Sequence, residues 1–494
     1  MKRVWGAVAL VALVVAAYAP SLRGPFLWDD GLNVTRNRLV TEAGNLRRIW
    51  FSTEPADYYP VTFTVFRLQW LCWGNNPRGY RVVNLLLHAV NALLLWKVFR
   101  RVGLARAWFG AALFALHPVN VATVAWVTEL KNLLAFGFAA VAVLAWLRYE
   151  DERRLLWLGT SLGAFLLALL SKTAVVPLPV VLVGLAWWRR NRLAWREAVL
   201  FFVLAIGLGL VTLWFQQHRV LEHAVVRRAD FWTRLADAGA AVWFYLWKAV
   251  APVNLSLVYP RWETNLIPAA LLALVLVLCW LRSRGLFLAL GGFVVMMFPM
   301  LGFFDQGFFA YAQVADHWQY FGLPLLCALA AVGVRWQVAV LLLGIWSALT
   351  FGRARLYGDD VALWRDTLEK NPLAWVAYFN LGLAHANRGE PELAEQCYRR
   401  ALRLNPDYVE ARNNLGNLLS ARGEHGEAVK HFMDVIRLNP KIAAAHNNLG
   451  AALAQLGEYE AAVGCFREAL RLEPRNAEAR ENLAKALEKL KAVR

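Results

Sequence analysis

The chain has 494 residues, 59% of them apolar and only 18% charged, with 24 Trp. That balance excludes an ordinary soluble domain or a disordered chain and fits a polytopic membrane protein with room for about two or three domains. Net charge is +18, but residues 373–494 hold 17 Lys+Arg against 15 Asp+Glu, so +16 of it lies on the apolar part. Basic loops mark the cytoplasmic side of membrane proteins, which makes nucleic-acid binding the weaker reading.

In chain order, Met1-Lys2-Arg3 and the apolar run 4–19 read as a signal peptide or a first transmembrane helix. The stretch Phe26-Leu27-Trp28-Asp29-Asp30 follows directly and favours a retained helix. Further apolar spans are expected at 82–99, 108–127, 133–147, 155–170, 174–188, 198–215, 266–281, 286–304, 321–334 and 338–351. With the first, that makes eleven crossings, several short for a bilayer of about 30 Å. Residues 218–251 are expected as an amphipathic or re-entrant element on the outer face. On that count the Arg clusters at 100–106, 148–154, 189–196, 282–284 and 335 share one face, cytoplasmic by the positive-inside rule. Asp29, Asp30, His117, Glu129, Lys131, Lys172, Asp305, Asp316 and His317 then converge on the outer rim.

Three readings apply to Asp29 and Asp30: a solvated loop, a site for a hard cation, or a general base on an acceptor hydroxyl. Lys131, Lys172 and His117 read either as interfacial anchors or as ligands for a lipid phosphate. Asn84, His88 and Asn91 form one polar stripe on an apolar helix; Asn91 reads chiefly as glue between helices, and His88 is a candidate for the site. Cys72, Cys279, Cys327, Cys397 and Cys465 show no CxxC spacing. Neither a zinc site nor a disulfide is expected.

Beyond the last span the pattern changes. Asn371-Pro372, Asn405-Pro406, Asn439-Pro440 and Glu473-Pro474 recur every 34 residues, with Leu-Gly pairs at 381–382, 415–416 and 449–450. Ala394, Ala428 and Ala462 precede Tyr398, Phe432 and Phe466 at the same period. This is the tetratricopeptide pattern of paired helices: three full repeats, a degenerate half-repeat before them and a polar capping helix after. The expected fold class is all-α, a transmembrane bundle followed by an α-solenoid. Expected boundaries are 1–352, a linker and half-repeat at 353–371, and repeats at 372–494. Asn380, Asn414, Asn448 and Asn482 occupy one equivalent position. They form a ladder that either holds a peptide backbone or bonds neighbouring helices.

Several pieces carry a family resemblance. They are Phe26 to Asp30 with Asn33 or Asn37; Tyr59-Pro60-Val61-Thr62 with Arg67; and Asn84 to His88. His117-Pro118-Val119, Trp126 through Leu134, Ser171-Lys172 and Ala315-Asp316-His317-Trp318-Gln319-Tyr320 follow. In this order, with the repeats, the chain resembles GT-C-type membrane glycosyltransferases of the branch related to the transmembrane O-mannosyltransferases. Two departures stand out. His317 occupies a place where the family often has Arg, and Tyr59-Pro60-Val61 replaces a common Tyr-Arg-Pro-Leu.

The resemblance implies inverting transfer of a hexose, such as mannose, from a polyprenyl-phosphate carrier to a protein hydroxyl on the outer face, without a metal. By that analogy Asp29 is the base and Asp30 orients the acceptor or substitutes for it. Lys131, Lys172, His317 and His117 hold the donor phosphate, and Tyr59, Arg67, Glu129, Asp316 and Tyr320 line the rim. The repeats present the acceptor, and the setting is a bacterial inner membrane with the repeats in the periplasm. Two other functions remain open: a non-catalytic scaffold acting through the repeats, and a transferase acting on a lipid-linked glycan.

Overall fold

The computed structural model describes residues 1–221 and 229–493, which form two compact units, Met1–Leu363 and Trp364–Arg494. The described residues of both units are helical and turn structure without strands. Each expected span overlaps helix, although 108–127 is broken into several pieces and 286–304 ends in bends. By length and composition, five helices can cross a bilayer: Arg3–Arg23, Pro77–Arg101, Val127–Glu152, Trp195–Val220 and Trp336–Leu356. A sixth crossing results if Ala107–Ala115 and Pro118–Ala125, bent by 48°, count as one. The bend has a local cause. Pro118 lacks an N–H, and the residue before a proline is driven out of the helical region, as His117 is with ψ 126°.

Of the expected outer element, residues 222–228 lie outside the described residues. Phe231–Val250 is a helix whose first turn is capped by Asp230, which accepts from the Thr233 N–H at 2.8 Å. It exposes Phe231, Trp232 and Trp247 on one side while burying Asp237 and Lys248 on the other. A short helix, Pro60–Trp73, stands where no element is expected, because Thr62, Arg67 and Gln69 interrupt its apolar run.

The polar stripe on Pro77–Arg101 ties helices together. Asn84 donates to the Trp126 carbonyl at 3.0 Å and Asn91 to that of Leu133 at 2.9 Å. His88 joins the Tyr320 hydroxyl at 2.8 Å and the Ala115 carbonyl at 2.9 Å. In an apolar environment each such bond satisfies a group that has no water to turn to.

In the second unit, three helix pairs run Trp375–Asn387 with Pro391–Leu404, Val409–Ala421 with His425–Leu438, and Ala443–Gln455 with Tyr459–Leu472. Ala477–Val493 closes the array. The expected linker is itself largely helix: Trp336–Leu356 runs into it, and Asp360–Lys370 straddles the unit boundary. The recurrent glycines set how closely paired helices approach. A Cβ on Gly416 would stand 2.8 Å from the Phe432 ring, and one on Gly450 2.8 Å from Phe466. Gly416→Val should therefore overpack that repeat by about 1–3 kcal/mol. Hydrogen exchange on the intact chain should show roughly 5- to 150-fold faster exchange confined to helices 409–438. Unchanged protection there would contradict the packing account.

Candidate functional site

The site begins where the first helix ends. Lys2–Tyr18 gives way to a 3-10 turn, Ala19–Arg23, and then to an extended Gly24 with ψ 158°. Arg81 pins this segment: its guanidinium donates to the carbonyls of Ser21 and Pro25, and to that of Tyr357 at 2.8 Å. Glycine is required at 24, because a Cβ would sit 2.1 Å from the Tyr357 oxygen and 2.5 Å from Arg81.

Beyond it Trp28 holds φ 40°, a left-handed conformation that costs a bulky residue energy and collects at functional sites. A π-helical turn, Gly31–Thr35, follows the acidic pair. Such turns are also rare and frequent at sites.

The two aspartates have different environments. Asp30 is fully buried, and its carboxylate accepts from the Leu27 N–H at 2.7 Å, the Thr128 N–H at 2.8 Å and the Thr128 hydroxyl. It fastens the loop to the segment before Glu129. Asp29 is half-buried and faces a cavity of about 610 Å³. One Asp29 oxygen accepts from the Asn33 amide at 3.1 Å, while the other has no hydrogen-bond partner. Burial pushes the Asp29 carboxyl up to about 7, with Lys131 opposing and Asp30 and Glu129 adding to the shift. Burial also raises Asp30, to about 6, against its hydrogen bonds and Arg81.

Across the cavity Glu129, 2% exposed, gathers three groups from three segments. Lys131 Nζ lies 3.4 Å away, Lys172 Nζ 3.7 Å and His317 Nε2 4.0 Å. Asn132 donates to Glu129 and, at 3.3 Å, to the His317 carbonyl. Burial pulls Lys172 down to about 8, with Glu129 opposing. Burial also pushes His317 down to about 4. His317 is therefore a neutral donor or acceptor near pH 7, beside the two lysines.

Other expected site residues have different places. Tyr59 lines the cavity. His117 does not: its ring bonds the Ala249 carbonyl at 3.0 Å and lies 4.3 Å from the Trp346 ring. Arg67 donates to the Val40 carbonyl at 2.6 Å. Asp316 accepts from the Tyr259 hydroxyl at 2.7 Å, and Tyr320 belongs to the His88 network. These four hold the frame of the site.

In the repeats, Asn380 turns back to the Val376 carbonyl at 2.8 Å. Asn448 donates to Asn417 at 2.9 Å, and Asn482 to Asn447 at 3.1 Å. Asn414 is half-buried between them. Asn448 and Asn482 thus bond neighbouring helices, while Asn380 bonds a carbonyl of its own helix.

Several cavity residues escape a reading of the sequence. Asp57, Gln216 and an aromatic wall of Trp28, Trp126, Phe308 and Tyr311 all line it. Trp28 stacks on Trp126 at 5.5 Å and 11°, with Tyr311 edge-on at 5.1 Å. Arg81 had a signal, an arginine on the same helix as the Asn84, His88 and Asn91 stripe, since ionisable residues in membrane helices mark functional positions.

Comparison with known proteins bears on the same residues. The family model for dolichyl-phosphate-mannose-protein mannosyltransferases matches residues 55–215, a stretch that includes Asp57, Tyr59, Glu129, Lys131 and Lys172. Tetratricopeptide models match 375–408, 397–430, 416–457 and 443–476. The chain joins a segment similar to these mannosyltransferases to tetratricopeptide repeats.

A protein O-mannosyl-transferase of Caenorhabditis elegans is 25% identical over 443 residues, covering 81% of this chain and 62% of that protein. Protein O-mannosyl-transferase TMTC1 of Mus musculus is 33% identical over 164 residues, 30% of this chain and 17% of its own. The chain thus spans less than two thirds of the length of these curated relatives. Among solved structures, the first repeat domain of Spaghetti (RPAP3) bound to an HSP90 peptide matches at 23% identity. It covers 24% of this chain and 92% of that one, with a TM-score of 0.23.

Proposed function

We propose that this chain moves a hexose, mannose in the first instance, from a polyprenyl-phosphate carrier to a protein hydroxyl. What supports this reading is a single cavity with a mixed lining. Asp29, Glu129, Lys131, Lys172 and His317 line it together with apolar Ile206, Leu210 and Leu213 of the Trp195–Phe215 helix and with Phe298 and Met300. Charged and apolar groups around one space suit a lipid phosphate.

In this reading the Asp29 carboxylate takes the proton of the acceptor hydroxyl as the hydroxyl oxygen attacks the anomeric carbon. The bond from the anomeric carbon to the phosphate oxygen breaks on the opposite face, inverting the centre. Lys131 and Lys172 stabilise the charge that accumulates on the departing phosphate, and the His317 imidazole donates a neutral hydrogen bond. The proton stays on Asp29 until water removes it. The repeats are the protein-binding part of the chain, and the acceptor reaches the site on the outer face of a bacterial inner membrane. Maleimide labelling of single cysteines placed in the repeats of intact cells tests the sidedness, and reaction only from the cytoplasm would overturn it.

The pH profile tests the chemistry. Asp29 works only when deprotonated, and its carboxyl is pushed up to about 7. Transfer should rise about tenfold per pH unit below that value. It should fall again above about 8, as Lys172 loses its proton. The assay is purified full-length chain in lipid, with labelled polyprenyl-phosphate mannose and a serine- and threonine-rich peptide. No labelled peptide anywhere between pH 5 and 9 would sink the assignment.

A further inference from the structure

Of the four carboxylates that line the cavity, Asp57 is one that the proposed transfer chemistry does not use. Asp57 lies in the loop before Pro60–Trp73, half-buried and lining the same space as Asp29. Its Oδ1 accepts from the Gln216 side-chain amide at 2.6 Å, a partner 159 residues away. Gln216 opens a π-helical turn, Gln216–Val220, at the end of the Trp195–Phe215 helix.

The arrangement repeats the one at Asp29, where Asn33 of the π turn Gly31–Thr35 donates to the carboxylate at 3.1 Å. Each π turn of the described residues thus supplies an amide that orients one cavity carboxylate. Such turns rarely persist without a positional use. A structural carboxylate would be enclosed by donors, as Asp30 is; Asp57 instead keeps an open side toward the cavity.

Burial raises the Asp57 carboxyl, while Lys131, Gln216 and Lys172 hold it down. The cavity is also lined by aromatic rings: Trp28 stacks on Trp126, with Phe308 tilted at 43° and Tyr311 edge-on at 76° to Trp28. A carboxylate accepts hydrogen bonds and donates none, so it suits hydroxyls. Aromatic faces suit the apolar side of a ring, and pockets of this build fix orientation with a few placed polar groups.

The geometry points to Asp57, fixed by Gln216, as the residue that selects the sugar: it accepts hydrogen bonds from ring hydroxyls of a pyranose lying against the Trp28 wall. This rests on the transferase reading above, and it assigns the recognition of the hexose to a residue outside the acid–base step. A hydroxyl turned the other way in an epimer leaves the carboxylate unpaired, which is how a polar site discriminates strongly.

The test compares polyprenyl-phosphate mannose with polyprenyl-phosphate glucose on the full-length chain. The wild type should prefer one sugar by at least about tenfold, the size expected for one hydrogen bond to a charged group. Asp57→Asn should bring that ratio close to one, chiefly through KM, and Gln216→Ala should lower it in part. If Asp57→Asn does not fold, Gln216→Ala and Asp57→Glu carry the comparison. A ratio unchanged in every folded variant, or a wild type that takes both sugars equally, overturns the inference.

Equilibrium binding of the two lipid-linked sugars to an Asp29→Asn background reads the same ratio without turnover. Selective binding that is lost with Asp57, together with no transfer by the chain that keeps Asp29, would refute the transferase reading and leave the sugar site standing. Transfer without selectivity would do the reverse.

Discussion

Asp29→Asn should reduce transfer by about 10²- to 10⁴-fold, the contribution of a positioned general base, and leave the chain folded. Asp30→Asn should do something different. Asp30 accepts two backbone N–H groups and the Thr128 hydroxyl at zero exposure. An amide in its place turns an N–H₂ toward donors and strands at least one of them. The expected cost is about 1–3 kcal/mol of stability, with activity lost as the loop loosens.

The pH dependence separates the two variants further. The folded carboxyl of Asp29 is raised to about 7, above its unfolded value, so its ionisation destabilises the fold as pH climbs toward 7. A residue that never ionises removes that penalty, so at pH 8 Asp29→Asn should unfold no earlier than the wild type. Thermal unfolding followed by tryptophan fluorescence, beside the transfer assay, checks both. If Asp30→Asn loses activity at full stability while Asp29→Asn keeps it, the roles are exchanged.

Glu129→Gln should be the most destabilising single change in the site. Glu129 sits between Lys131 at 3.4 Å and Lys172 at 3.7 Å, with its side chain 3% exposed. Removing one partner of a buried ion pair leaves an uncompensated charge, at about 3–5 kcal/mol, and here two cations are left. A neutral isostere on the other side should recover part of the loss. The double variant Glu129→Gln with Lys172→Met should be more stable than the sum of the two single changes by about 0.5–3 kcal/mol. Strict additivity in thermal unfolding would mean that the pair contributes no coupling. Activity should not return in the double variant, because Lys172 is needed for the phosphate.

How much of this the sequence made legible depends on the range of the interaction. The repeats follow from a 34-residue period and the helices from apolar runs, both local patterns. Glu129, Lys131, Lys172 and His317 come together as the counting of spans and their basic loops implies. His117, Arg67, Asp316 and Tyr320 are expected beside them, yet each is taken up by a carbonyl or hydroxyl from a distant segment. Membership of a rim is local information; the identity of a hydrogen-bond partner is not. The same holds for Asp57 and Gln216, and for Asp30, whose duty is set by Thr128, 98 residues on. Two adjacent aspartates look equivalent until the residue that holds one of them is known.

The Arg81 cluster has a practical consequence for dissecting the chain. One of its three acceptors, the Tyr357 carbonyl, comes after the Trp336–Leu356 helix, and a Cβ on the neighbouring Gly358 would stand 2.8 Å from the Pro20 oxygen. A truncation at the end of the last apolar segment would remove that carbonyl from beneath the loop carrying Asp29. Expression clones meant to isolate the first unit should therefore stop after Gly358. Cutting at residue 352 would yield a protein that inserts correctly and is dead for a reason unrelated to the missing repeats.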